Sequence, residues 1–367
     1  MAKFSIEQLK KKYGGFSDGR CSVSVEGFRV DEKFRVSSVT VQLTAMYEAS
    51  YASFTVSDGF KSDGESCSMD KELSRKLKLG KSVAVGLGYG KSVTEVFKGH
   101  IDSVRVDYNE GTGFSITVIC LDGKGMMMNS FRSEIKTNRK KYSDAVKDTL
   151  GLYSSFITSS KITASPQLEL PFSQLNESDY EFVVRLAKRL NYSFYILLGK
   201  AYFVPFGSDR TVLLGITPRT NLLSFSMESS LRRRFSKVVV VNNDEQDEKK
   251  RIKSEVTSVN VLESGSSSRA AANSAITGSM VKTIVDVSAS TGEIAKSIAQ
   301  AELDRQSYDS VEGEIELNGI PEAIPGVFAE LSGFGSEFEK AYYIRKVTHR
   351  LAGNVFTTLL ELGGNAL

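Results

Sequence analysis

One β pattern occurs twice in this chain, and that repetition constrains the fold more than any other feature. The stretch from Val83 to Leu121 can be laid over the stretch from Val327 to Leu362 with only small length adjustments. Val83, Val85 and Leu87 alternate and run into Gly88-Tyr89-Gly90, while Val327, Ala329 and Leu331 alternate and run into Gly333-Phe334-Gly335. Each copy continues with an Ile-x-x-Val step, Ile101 to Val104 and Ile344 to Val347. After a turn containing glycine, each closes on a second alternating run: Phe114, Ile116 and Val118 in one, Phe356, Thr358 and Leu360 in the other. Apolar residues at every second position mark strands with one face on a core. A duplicated unit of this kind lets an oligomer present twice as many equivalent units as it has subunits, and such repeats must be found before anything else is read.

A chain of 367 residues with 41% hydrophobic residues can bury a large core, and its length suggests roughly two or three domains. Lys+Arg 47 against Asp+Glu 44 leaves a formal charge of only +3, which is no signature of polyelectrolyte binding, so no sequence-specific nucleic acid is expected. Cys21, Cys67 and Cys120 are far apart and form no C-x-x-C pair. They indicate neither a disulfide framework nor a zinc site, and are expected as small buried apolar residues. The start, Met1 to Glu7, lacks the apolar segment of a signal peptide, and no run approaches the ~20 residues of a membrane helix. The expectation is a protein without membrane anchor or cofactor, made in a reducing cytosol.

Along the chain, Ser5 with Gln8 forms a capping box for an amphipathic helix ending in Lys10-Lys11-Lys12, read as a solvated arm or a clamp for a neighbouring protein. Period-two patterns predict strands at Val39 to Leu43, Ala52 to Val56, Val83 to Leu87, Phe97 to Tyr108 and Phe114 to Leu121. After Asp122-Gly123, Ser143 is placed as the cap of a helix through Leu150, and Ser178 with Glu181 as the capping box of another bearing Phe182, Val183, Leu186 and Leu190 on one face. A hairpin follows around Gly199. Strands return at Leu223 to Met227 and Lys237 to Val241, then a charged tip over 244–251 and a serine- and alanine-rich loop from Ser264. Ser290 with Glu293 is read as the capping box of a helix from Ile294 to Arg305. The expected division is an N-terminal arm over 1–20, a first β-barrel over 21–125 and a small α+β domain over 126–220. The second barrel takes 221–262 and 311–367, interrupted by a loop and helix insertion over 263–310.

Three segments carry a family resemblance: Leu79-Gly80-Lys81-Ser82-Val83 leading to Gly99-His100-Ile101, the run Asn176 to Phe182, and the closing Tyr343 to His349. In their order the chain, from about Val23 onward, resembles the phage late control gene D protein. It is similar also to the N-terminal half of the type VI secretion valine-glycine repeat protein and to the baseplate hub of contractile-tailed phages. The resemblance implies a mainly β fold with α+β insertions, in which two tube-like antiparallel barrels per chain are related by internal duplication. It implies a non-enzymatic homotrimer, a ring of pseudo-sixfold symmetry joining the hexameric tail tube protein to a trimeric spike protein, with other baseplate or wedge proteins around it. Such a particle is assembled in the bacterial cytoplasm and sits in a phage tail or phage-tail-like device. Longer relatives continue into an oligonucleotide-binding-like domain and a β-helical spike. This chain ends at Gly363-Gly364-Asn365-Ala366-Leu367, so spike and hydrolase are expected on separate polypeptides.

Candidate chemistry is sparse. Gly86, Gly88 and Gly90 before Lys91 lack the G-x-x-x-x-G-K-[ST] order of a phosphate loop and read as a hairpin turn. His100 and His349 each lie beside a repeat strand, near corresponding points of the two copies, and read as structural. Glu312, Glu314 and Glu316 alternate with Val311, Ile315 and Leu317 along the second barrel. As an acid pair they would suit a tail-associated cell-wall hydrolase, the alternative to a hub along with a polysaccharide-binding module. Their equal spacing reads instead as a solvated or lumen-facing surface. Arg232, Arg233 and Arg234, between Leu231 and Phe235, are the basic candidates for a partner contact, since guanidinium pairs bidentately with carboxylate.

Overall fold

The computed structural model describes residues 3–62, 66–135, 140–167, 172–219, 221–230, 235–242, 252–262, 280–286 and 288–365. The chain is mainly β, with a 14-stranded sheet running through both copies of the repeat. In the first copy the strands are Gly19–Val25, Val36–Thr44, Tyr51–Val56, Ser82–Tyr89, Ser92–Asn109 and Gly113–Leu121. Their spatial order is first, fourth, fifth, sixth, third, second. In the second copy, Val212–Ile216, Leu222–Ser229, Val311–Asn318, Phe328–Leu331, Ala341–Ala352 and Val355–Gly364 follow the same spatial order. The duplication legible in the sequence is therefore a duplication of topology.

The ladders agree residue by residue. An extra residue bulges at Asp102 in the first copy and at Arg345 in the second. A second bulge falls at Ser37 and at Leu223. Bulges bend a strand at a chosen point, so their shared positions give both copies the same curvature. Through these registers Ile101 corresponds to Ile344, Val104 to Val347, Val39 to Phe225 and Val41 to Met227. Val83 stands opposite Gly99 and Ala329 opposite Tyr342, so the ladder matches Val83 with Ala329 rather than Val327. A two-residue displacement leaves every side chain on its face, which is why alternation alone did not detect it. One difference of direction remains: Gly19–Val25 is antiparallel to Ser82–Tyr89, whereas Val212–Ile216 is parallel to Phe328–Leu331.

Inward side chains of both copies share one apolar cluster, including Val39, Phe54, Val85 and Val118 from the first and Ile315, Ala329, Ile344 and Leu360 from the second. The helix Ile6–Lys12 starts at the Ser5/Gln8 capping box and buries Ile6 and Leu9. It is no free arm. Tyr13 packs on the Tyr89 ring of the first copy, and both Lys12 and Tyr13 bond Glu322 of the second.

Between the copies, helices Tyr142–Gly151 and Asp179–Leu190 pack on the three-stranded sheet of Ser159–Ile162, Lys200–Pro205 and Tyr192–Leu197. The Ser178/Glu181 capping box is present, and the hairpin turns through Leu198 and Gly199, both at positive φ (50° and 78°). The Ser143 cap is not: the helix begins at Tyr142, after Lys141, without a side-chain cap. Likewise the helix Gly292–Ser307 is capped by Thr291, not Ser290. The strand Lys237–Asn242, expected in the second barrel, pairs instead with Ile252–Val256 and Val281–Val285, and that sheet packs on Gly292–Ser307. The insertion thus has its own core. The 244–251 tip and the loop from Ser264 lie outside the described residues.

Candidate assembly interface

Edge-to-edge strand pairing joins the two copies. Val36–Thr44 of the first runs antiparallel to Ala341–Ala352 of the second, in register from Lys346 opposite Thr44 to Ala352 opposite Ser38. The other edge of each strand is occupied within its own copy. On the core side Val39, Val41 and Leu43 meet Val347, His349 and Leu351, none more than 5% exposed. The seam is thereby a continuation of both cores, and its main-chain hydrogen bonds are shielded from water.

His349 lies inside this seam, opposite Val41. Its Nδ1 is 2.9 Å from the Thr358 hydroxyl, which also accepts the Ile320 N–H at 2.9 Å. Burial holds the imidazole down at about 4. His100 is also buried, edge-on to Phe156, and burial lowers its pKa. The two histidines do not correspond: the ladder aligns His100 with Tyr343 and His349 with Val106. Of the cysteines, Cys120 is buried and Cys21 half-buried, their thiols pushed up by burial to about 12 and about 11. Cys67 is exposed, contrary to its expected burial. Among the described residues no group of three or more His, Cys, Asp and Glu could hold a metal ion, and no helix is long and apolar enough to cross a membrane.

Each copy also has an edge whose counterpart in the other copy is used by the seam. Leu222–Ser229, the counterpart of Val36–Thr44, pairs with Val311–Asn318 on one side and, among the described residues, with no strand on the other. The far end of Ser92–Asn109, the counterpart of Ala341–Ala352, pairs beyond Ile101, among the described residues, only with Gly113–Leu121. Positions buried in the seam are open here: Val106 is 43% exposed and Tyr108 64%.

Glu312, Glu314 and Glu316 share the outer face of the second copy, Glu312 and Glu314 exposed and Glu316 half-buried. Neighbouring strands add carboxylates, with Glu228 opposite Glu312 and Glu361 opposite Glu314. Part of the charge is met from within the chain. Arg345 bonds Asp309 at 3.0 Å and Glu312 at 2.8 Å, and Lys346 reaches Glu48 at 3.1 Å and Glu361 at 3.4 Å. Arg232, Arg233 and Arg234 lie outside the described residues. Sequence reasoning missed Arg345 and Lys346, although two bases inside the second Ile-x-x-Val step, in a copy rich in glutamate, were the available signal.

The fold is that of tail proteins. The 43 kDa tail protein of prophage MuSo2 from Shewanella oneidensis superposes with a TM-score of 0.70 at 15% identity, covering 94% of this chain and 98% of that one. A tail protein from Neisseria meningitidis MC58 gives 0.67 at 13% identity, covering 94% and 96%. An E. coli component of the type VI secretion system, described as similar in structure to T4 bacteriophage tail proteins gp27 and gp5, gives 0.54 at 12%, covering 93% and 76%. The resemblance to baseplate hub proteins thus stands at the level of fold. No curated protein matches by sequence. A family model described as the Alg8 N-terminal domain matches residues 18–353, a span that takes in both copies of the repeat and everything between them, and the chain belongs to that family.

Proposed function

We propose that this chain is the structural hub of a contractile tail baseplate, a non-enzymatic homotrimer whose six modules form a pseudo-sixfold ring between a hexameric tail tube and a trimeric spike. The observation that carries this reading is the internal seam, in which two modules of one topology are fused edge to edge. A contact that joins unlike edges of like modules is heterologous, and it closes into a ring when its rotation permits. Three chains of two modules each meet sixfold and threefold partners with the same backbone. The acidic outer face around Glu312, Glu314 and Glu316 would line the channel, on the side of the sheet away from the module cores. Arg232, Arg233 and Arg234 are proposed to meet carboxylates of the tube or of a neighbouring subunit, and the α+β domain to brace the ring and meet wedge proteins.

The test is the solution mass of the full chain, alone and with a candidate trimeric spike protein. A mass of three chains, together with a ring of six densities by electron microscopy, is expected. A monomer under both conditions overturns the reading.

A further inference from the structure

We infer that the Val104–Asn109 segment of one copy of this chain pairs antiparallel with the Ser224–Ser229 segment of a second copy, in the register that the internal seam prescribes. The inference rests on the ring reading and names the surface that closes it. Within the chain, Val347 faces Leu43, His349 faces Val41, Arg350 faces Thr40, and Leu351 faces Val39. Carrying each residue to its counterpart through the shared bulges gives the contact between copies. Val104 meets Ser229, Arg105 meets Glu228, Val106 meets Met227, Asp107 meets Ser226, and Tyr108 meets Phe225.

The chemistry of these pairs agrees independently with the register. Arg105 falls opposite Glu228, an opposite-charge pair on the outer face. Val106 and Tyr108, 43% and 64% exposed in the single chain, fall opposite Met227 and Phe225 on the core side. A slip of one residue would turn each apolar side chain to the wrong face. A slip of two would separate Arg105 from Glu228. In the single chain Arg105 bonds the exposed Asp107 at 2.8 Å, and Phe225 stacks on Phe334. An open strand edge carrying exposed Val and Tyr is a template for further pairing unless a partner covers it. Since each chain has one edge of each kind, pairing propagates from chain to chain.

Disulfide trapping in the full chain tests the register. Ala45 donates its N–H to the carbonyl of Arg345 and Gly353 to that of Ser37, which makes Arg350 and Thr40 a pair without mutual main-chain hydrogen bonds. Such pairs lie about 4.5 Å apart at Cα, within disulfide reach. Their counterparts are Asp107 and Ser226. In a Cys67→Ser background, Asp107→Cys with Ser226→Cys is expected to convert the monomer on oxidation into covalently linked dimers and trimers. Asp107→Cys with Glu228→Cys, displaced by two positions, is expected to link at least about tenfold less. Arg105→Glu is expected to weaken association about tenfold, and adding Glu228→Arg to restore it. A trimer by mass that links better in the displaced pair, or in neither, overturns the register and leaves the ring standing. A chain that neither associates nor links overturns both.

Discussion

Asp102 and Arg345 occupy the same bulge in the two copies of the repeat, with opposite charge. The backbone device is shared while the side chain is specialised. Arg345 turns over the second copy to hold Asp309 and Glu312 and to donate to the Tyr308 carbonyl, whereas Asp102 is exposed. The guanidinium lies over Gly363, where an added Cβ would collide with it.

Arg345→Ala is therefore expected to cost about 1–3 kcal/mol, because a largely buried guanidinium bonded to two carboxylates and a carbonyl is lost. Gly363→Ala, by displacing the same group, should cost a similar amount, while Asp102→Ala should stay within about 0.5 kcal/mol. Urea unfolding of the three variants decides; an equal effect at Asp102 and Arg345 would mean that only the bulge matters.

The seam should weaken in acid through His349. Its folded pKa of about 4 lies below the ordinary value of 6.5 because burial disfavours the cation. Between those values the unfolded chain binds a proton that the folded chain refuses, so the contribution is whole above pH 6.5 and lost as pH falls toward 4. The span corresponds to roughly 3 kcal/mol. His349→Met is expected to be less stable than the parent at pH 7 and to close that gap by pH 4. His100 titrates in the same direction and is common to both proteins, so the difference between them isolates His349. A gap that stays constant from pH 7 to 4 would refute the assignment.

Lys124 fastens the loop that follows the first seam strand. It is fully buried, and its ammonium donates to the carbonyls of Met46 at 3.3 Å, Tyr47 at 3.2 Å and Glu48 at 2.6 Å. Burial pushes its pKa down to about 8, and the neighbouring Asp122, which accepts the Ser50 N–H at 2.9 Å, is pushed up. Lys124→Ala should cost about 3–5 kcal/mol, since it leaves three carbonyls short of their donor and removes the buried cation that favours the Asp122 carboxylate. Hydrogen exchange should then rise first over residues 45–50.

Corresponding substitutions at the closed and open edges separate folding from assembly. Val41 is fully buried in the seam, so Val41→Asp should destabilise the single chain by about 4 kcal/mol or more. Met227, its counterpart, is half-buried at the open edge. Met227→Asp should cost the single chain about 1 kcal/mol yet abolish the proposed trimer. Thermal unfolding paired with mass measurement decides; the reverse pattern would mean that Leu222–Ser229 is not an associating edge.

Local and periodic features were written plainly in the chain. The alternation around Val83 and Ala329 gives strands because a pleated strand turns its side chains over every second residue. The boxes at Ser5/Gln8 and Ser178/Glu181 are legible because donor and acceptor lie three residues apart. Even so, neighbouring candidates misled: Ser290 offers the same hydroxyl as Thr291, which caps the helix Gly292–Ser307, and Ser143 lies inside a helix that starts after Lys141 with no side-chain cap at all. The partner of an edge strand is not written locally at all. Lys237–Asn242 has the pattern of a barrel strand but joins the insertion, and nothing near Val41 announces that His349 will face it. The seam pairing unites residues hundreds of positions apart, and it is settled by which edges remain open once each copy has closed on its own core. The sequence alone determined the repeated module and its inward face; the tertiary structure decided how one module is joined to the next, because strand edges expose the same main-chain groups whatever the side chains.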